Sequence, residues 1–155
     1  MLLKNLIIQT EYNNGASQWH FSNKKLIVDH YSCPYEDSIG VNSMEDLAIV
    51  NQKFQRRKRK QFLKNGVCIE SPDTVFFSYD TKIGNEVVIQ PNVYFGPSVT
   101  VKNNVIIRSF SYLGHVKIND NVSIGPFARI RDNVEIEQNT KIGNFVDIKK
   151  SKVKK

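Results

Sequence analysis

The side chains able to do chemistry are few in this 155-residue chain, and their spacing excludes more than it proposes. His20, His30 and His115 stand far apart, and Cys33 and Cys68 have neither a CxxC arrangement nor clustered histidines beside them. Zinc sites and disulfide frameworks both need tighter patterns. Both thiols are therefore expected to be packed side chains, and each histidine a surface or packing residue. The formal charge of +7 looks like a nucleic-acid signal until it is located. Ten of the 22 basic residues fall in two runs, Arg56-Arg57-Lys58-Arg59-Lys60 and Lys149, Lys150, Lys152, Lys154 and Lys155. The remainder, 12 basic against 15 acidic, is slightly acidic. Nucleic-acid domains spread Lys and Arg over one face with interleaved aromatics. A solvated helix face and a charged tail explain these runs more simply, which leaves a basic nucleic-acid or membrane-surface module as the less economical reading. No apolar run reaches the roughly 18 residues of a membrane span, and Met1-Leu2-Leu3-Lys4 lacks the pattern of a signal peptide, so a cytoplasmic location is expected.

Whatever chemistry the chain performs must be positioned by a repeat. Ile83, Ile89, Phe95, Val101, Ile107 and Leu113 fall six residues apart, and after one five-residue step Ile118, Ile124, Ile130, Ile136, Ile142 and Ile148 do so again. Four residues after these beats come small or β-branched side chains, among them Val87, Val93, Val99, Val105, Ser111, Val122, Ala128, Val134, Thr140 and Val146. Neither a helix nor an ordinary strand keeps this period. It is the signature of a parallel β-helix, in which each hexad makes a short strand and a turn and three hexads close one triangular coil. The beat residues then stack inward at the inter-strand spacing, each buried aliphatic contributing about 1.5–3 kcal/mol. Gly84-Asn85, Pro91-Asn92, Asn103-Asn104, Asn119-Asp120-Asn121 and Asp132-Asn133 are expected at corners that need unusual backbone angles. A β-sandwich fits less well, because its turns recur every 8–12 residues.

Upstream, Ser43-Met44-Glu45-Asp46 reads as a capping box that starts a helix from about Met44 to Lys64, and Asn65-Gly66 reads as its left-handed stop. Leu47, Val50 and Phe54 form its expected apolar stripe, with Arg56 to Lys60 on exposed turns. Val67-Cys68-Ile69 is a short strand, Ser71-Pro72-Asp73 a turn, and Val75-Phe76-Phe77 the way into the first coil. Residues 1 to 42 carry Leu6-Ile7-Ile8 and Leu26-Ile27-Val28, too little for a core of their own.

Several motifs together resemble a known family. Ile39-Gly40-Val41-Asn42-Ser43, the basic helix, Gly66-Val67 with Ser71-Pro72-Asp73-Thr74-Val75, then Gly125-Pro126-Phe127-Ala128-Arg129-Ile130-Arg131 and Gly143-Asn144-Phe145-Val146-Asp147-Ile148-Lys149-Lys150 are similar to the middle of the bacterial bifunctional N-acetylglucosamine-1-phosphate uridyltransferase and glucosamine-1-phosphate acetyltransferase. The resemblance covers about residues 31–153. It implies a Rossmann-like uridyltransferase domain, a linking helix and a left-handed parallel β-helix that trimerises, with magnesium and acetyl-CoA as the family's cofactors and UDP-N-acetylglucosamine as its product. On this resemblance residues 1–42 are expected to be a remnant of the uridyltransferase domain, 43–66 the linking helix, 67–76 a leading strand and turn, and 77–155 a C-terminally truncated β-helix of about four coils. The overall class is mainly β with a small α/β remnant.

The same resemblance assigns the site residues. Arg131 and Lys149 correspond to positions that bind the sugar substrate, and an Arg fork with a Lys point charge suits a phosphate oxyanion. Arg131 is followed by Asp132-Asn133, where the family usually has Pro-Gly. Asn42 matches an asparagine of the magnesium site, which one ligand cannot complete. No two glycines lie within three residues of each other, so the family's glycine-rich phosphate loop is missing, and no histidine occupies the motif of the acetyl-transfer base. No catalytic residue is therefore assigned. The expectation is a truncated or split relative without turnover or cofactor of its own, assembled as a homotrimer with weak phosphosugar binding. The alternative is a subunit that works with a companion chain in uridyl or acetyl transfer.

Overall fold

The computed structural model describes residues 40–154 and two short strands nearer the N-terminus. Those strands, β1 (Tyr12–Asn13) and β2 (Ala16–Ser17), pair antiparallel, with Tyr12 opposite Ser17 and Asn13 opposite Ala16. They belong to a unit, Met1–Ile39, distinct from the unit Gly40–Lys155. Cys33, His20, His30 and most of the expected remnant lie outside the described residues.

Helix α1 (Met44–Lys64) begins as its sequence dictates. The Ser43 hydroxyl accepts the Asp46 N–H at 3.0 Å, while the Asp46 carboxylate accepts the N–H groups of Ser43 at 2.9 Å and Asn42 at 3.1 Å. Three donors at the helix start are thereby satisfied. Gly66, at φ +83, ends it in the left-handed conformation that glycine adopts without strain. The buried face differs from the expected stripe. Leu47 is 47% exposed, and Val50 and Phe54 are half-buried, whereas Gln55 and Phe62 are buried. The reason is that α1 lies against the start of the β-helix, where Phe62 packs on Phe77 with ring centroids 4.9 Å apart. Gln55 donates to the Phe77 carbonyl at 2.8 Å and accepts the Phe77 N–H at 2.9 Å, standing in for a neighbouring strand. The basic run is also less free than its sequence suggests. Arg59 binds Asp73 at 2.9 Å and the Val75 carbonyl at 3.1 Å, and Lys58 sits 5.6 Å from the Phe62 ring centroid. Arg56, Arg57 and Lys60 are exposed.

The hexads then wind a parallel β-helix. Strand β3 (Cys68–Ile69) precedes a short 3-10 turn at Pro72–Thr74, followed by β4 (Lys82–Ile83), β5 (Val88–Ile89), β6 (Tyr94–Phe95) and β7 (Val99–Val101). Next come β8 (Ile106–Ile107), β9 (Tyr112–Leu113), β10 (Val116–Ile118), β11 (Ser123–Ile124) and β12 (Arg129–Arg131). The last are β13 (Val134–Ile136), β14 (Lys141–Ile142), β15 (Asp147–Lys149) and β16 (Lys152–Val153). They form three faces: β4-β7-β10-β13-β16, β3-β5-β8-β11-β14, and β6-β9-β12-β15. From β4 onward strands three apart in sequence pair in parallel, and β3 pairs with β5, so each coil hydrogen-bonds to the next. Ten of the twelve beat residues are buried, from Ile89 to Ile142; Ile83 and Ile148 sit in outer strands and are only partly covered. The five-residue step falls at Gly114-His115, where His115 alone turns the corner and Val116 takes the inner position. Register is preserved there, with Val116 paired to Val99.

The corners correct one reading of the turns. The left-handed backbone lies three residues after nearly every beat, at non-glycine residues such as Glu86, Asn92, Asn104, Asn121 and Asn139, each at φ between 54 and 61. The asparagines among them tolerate this conformation better than most residues. Gly84, Gly96, Gly114, Gly125 and Gly143 do not have positive φ; Gly125 is needed for space, because a Cβ there would stand 2.6 Å from the carbonyl of Gly143 in the next coil. Cys68, expected to be packed, points outward from β3 and is an exposed free thiol.

Candidate functional site

The two long sequence motifs lie one directly above the other. Residues 125–131 and 143–149 are consecutive turns around the same corner, because β12 pairs with β15 in parallel: Arg129 opposite Asp147, Ile130 opposite Ile148, Arg131 opposite Lys149. Ile130 and Ile148 point inward and anchor the strands, so the alternation of a strand sends Arg129, Arg131, Asp147 and Lys149 outward together. The structure thus brings together the two sequence-assigned substrate residues as neighbours on one face.

Their surroundings contain two groups that the sequence reading did not include. Arg131 donates through Nη1 to Asp132 Oδ2 at 2.9 Å and through Nη2 to Asp147 Oδ2 at 3.5 Å. Arg129 Nη1 stands 3.9 Å from the same Asp147 oxygen. Asp132 and Asn133 both have left-handed backbone, φ 62 and 64, and this pair of residues turns the Asp132 carboxylate back onto Arg131. Arg131 is the most covered member, 26% exposed in its side chain, and its Nε is buried without a hydrogen-bond partner. Lys149 is exposed and makes no ion pair among the described residues. Two arginines and Lys149 therefore face two carboxylates, a surface that is net positive but partly self-neutralised. An incoming phosphate would gain Arg131 and Lys149 only by competing with Asp132 at 2.9 Å and with Asp147, whose contact is longer and half-exposed.

The remaining candidates are not part of this cluster. Asn42 lies at the start of α1, and the only carboxylate bonded to it, that of Asp46, is committed to the helix cap. Among the described residues no group of three His, Cys, Asp or Glu side chains could hold a metal ion. A single amide with a committed carboxylate does not fit an octahedral magnesium, which takes several oxygen ligands. His115 is exposed at its corner. A separate open cleft of about 380 Å³ lies between α1 and the first coils, lined by Asn51, Phe54, Gln55, Phe76, Phe77, Tyr79 and Tyr94. It contains no charged side chain, and the amide of Gln55 is already used by Phe77. No helix among the described residues is long and apolar enough to cross a membrane.

Stacked hexads of this kind define a hexapeptide-repeat parallel β-helix. The family described as bacterial transferase hexapeptide (six repeats) matches residues 80–115 and 115–150. Among curated proteins, the bifunctional protein GlmU of Zymomonas mobilis is 52% identical over 116 residues, covering 75% of this chain and 26% of the relative. The bifunctional protein GlmU of Bartonella quintana is 39% identical over 132 residues, 85% of this chain and 30% of the relative. That of Wolbachia pipientis is 37% identical over 158 residues, 97% of this chain and 37% of the relative. The chain belongs to the GlmU family. It spans roughly a quarter to just over a third of the length of these relatives.

Proposed function

We propose that this chain is a phosphosugar-binding, β-helical relative of GlmU that has no uridyl- or acetyltransferase turnover by itself. The observation that carries the reading is the register of β12 on β15, which sets Arg131 beside Lys149. Two cations one coil apart repel unless an anion or carboxylates lie between them, and the guanidinium fork suits a phosphate. Asp132 and Asp147 meet part of that need, so a phosphate dianion binds by exchange rather than into an empty site. Its affinity is accordingly expected to be about 1 mM or weaker. The side chains gathered here are two arginines, Lys149 and two carboxylates, with no nucleophile and base in hydrogen-bond contact, which supports binding without turnover. Chemistry would require groups from elsewhere, for which a companion chain of different sequence is the proposed source, while copies of this chain are proposed to assemble as a homotrimer.

Titration of the purified chain with glucosamine-1-phosphate, followed by calorimetry or NMR, tests the reading. Weak saturable binding that Arg131→Ala abolishes is expected, with no acetyl transfer from acetyl-CoA. Equal binding by the wild type and Arg131→Ala, or turnover that persists after removal of any co-purifying host enzyme, would overturn it.

A further inference from the structure

The fold divides the basic run of α1 between two sides of the helix. Lys58 and Arg59 turn toward the β-helix, Lys58 over the Phe62 ring and Arg59 onto Asp73 and the Val75 carbonyl. On the other side the cations recur every three or four residues, at Lys53, Arg56, Lys60 and Lys64, with Arg57 beside them. At 3.6 residues per turn these positions fall within about 100° of arc, and from Lys53 to Lys64 they climb about 16 Å. Arg56, Lys60 and Lys64 are exposed and Lys53 is half-buried. None of these four side chains makes a hydrogen bond or ion pair among the described residues.

This stripe does not serve the helix itself. No acidic residue follows Asp46 in α1, so Lys53 and Arg56, Arg56 and Lys60, and Lys60 and Lys64 are like-charge neighbours on one face, an arrangement that weakens a helix. The helix dipole favours cations only in the last turn, which accounts for Lys64 alone. An anion whose charges repeat along the stripe relieves the repulsion at all four. A helix that lies in a membrane surface needs an apolar face to immerse, but the stripe carries no apolar side chain, and Phe62 on the opposite side is buried against Phe77. Nor do aromatic rings alternate with the cations, as they do where unpaired bases are stacked. The regularly charged backbone of a duplex is the polyanion that fits.

We infer that the outer face of α1, through Lys53, Arg56, Lys60 and Lys64, binds the phosphate backbone of a nucleic-acid duplex without reading its sequence. The surface is distinct from the Arg131 and Lys149 cluster on β12 and β15, and the inference does not depend on that site. Contacts to phosphate alone place the dissociation constant in the range of about 10⁻⁴–10⁻⁶ M at physiological salt. Duplex DNA and duplex RNA present the same phosphate chemistry to the stripe.

Fluorescence anisotropy of a short mixed-sequence DNA duplex, titrated with the full chain at several salt concentrations, tests this. Four neutralised phosphates give a slope of log affinity against log salt of about −3.6, so binding should weaken about a hundredfold between about 50 and 200 mM salt. Arg56→Gln/Lys60→Gln keeps good helix formers, so α1 should persist by circular dichroism; binding at the lower salt should fall at least tenfold and the slope move to about −1.8. Lys150→Gln/Lys154→Gln removes the same charge from the other basic run and should bind as the wild type does. An RNA duplex titrated in parallel shows which of the two forms the stripe prefers, and saturable binding of either supports the inference. Three results would overturn it: no binding of either duplex at about 50 mM salt, equal losses in the two double variants, or tighter binding to vesicles of equimolar phosphatidylserine and phosphatidylcholine than to the duplexes.

Discussion

Gln55 is the buried polar residue of α1, and its replacement by leucine isolates its role. The side chain is buried, and its amide makes both hydrogen bonds that a preceding strand would have made to Phe77, at 2.8 and 2.9 Å. Leucine is close in volume and favours helix, so Gln55→Leu changes little except the loss of one donor and one acceptor. The Phe77 N–H and C=O are then left buried and unpaired, at about 1–3 kcal/mol each, and better apolar packing recovers part of this. A net destabilisation of about 2–4 kcal/mol is expected. For a chain of this size 1 kcal/mol corresponds to roughly 2–4 °C, so the melting temperature should fall by about 5–15 °C. Urea unfolding followed by far-ultraviolet dichroism provides the free energy. A change below about 0.5 kcal/mol would be typical of a neutral surface substitution and would refute the claim that Gln55 serves as a surrogate strand.

Three further outcomes follow from the same geometry. Gly125→Ala places a Cβ 2.6 Å from the Gly143 backbone, whereas Gly143→Ala meets nothing within 4 Å; the first should cost about 1–3 kcal/mol in urea unfolding and the second less than about 0.5. Hydrogen bonds from Lys117 and Lys152 hold the Glu135 carboxyl below its ordinary value of 4.5, and the Ser98 N–H does the same for Asp80. Carboxyls depressed by folding stabilise above their unfolded pKa and lose that contribution as pH falls through the folded one, so the urea midpoint should drop below about pH 4.5 and Glu135→Gln should flatten the drop. The opposite sign holds for Lys152, raised by Glu135 and then Glu137, whose contribution lasts to its ordinary 10.5 and is lost above it. Asp147→Asn removes the carboxylate that competes for Arg131; glucosamine-1-phosphate binding should tighten by about two- to fivefold, as expected for an exposed ion pair of up to about 1 kcal/mol, and a titration showing no gain would contradict the exchange picture.

Much of this architecture was legible because the period that buries Ile89, Ile107, Ile124 and Ile142 is written directly into the chain, and because stacking coils turns a spacing into a contact. The same arithmetic that joined Arg131 to Lys149 also joins Arg129 to Asp147, so the carboxylate facing the site was available from the register alone. Asp132 was not. Its contact depends on two successive left-handed residues, and sequence marks such positions only as turns. The corner expected at Gly84-Asn85 falls instead on Glu86, and the need for Gly125 was not legible at all, because it comes from the approach of the next coil, a steric fact that no local turn rule contains. The α1 stripe failed because amphipathicity presumes apolar burial, whereas the decisive buried residue is Gln55, polar and chosen for hydrogen bonding to Phe77. The pairing of β1 with β2 across Asn14-Gly15 had a sequence signal, the dipeptide most favoured in tight hairpins.

The most direct test of the account asks whether the two motifs lie one coil apart in solution. In a chain with Cys33 and Cys68 replaced by serine, Arg131→Cys/Lys149→Cys sets two thiols on paired positions of adjacent parallel strands. Neighbouring strands are about 4.8 Å apart, within the Cα range that a disulfide spans. Mild oxidation followed by mass spectrometry should find the intramolecular 131–149 disulfide in most of the protein, and little bridging in Arg131→Cys/Ile148→Cys, where the second thiol points into the core. No bridge at 131–149, or equal bridging in both variants, would contradict the coil register and with it the proposed phosphate site.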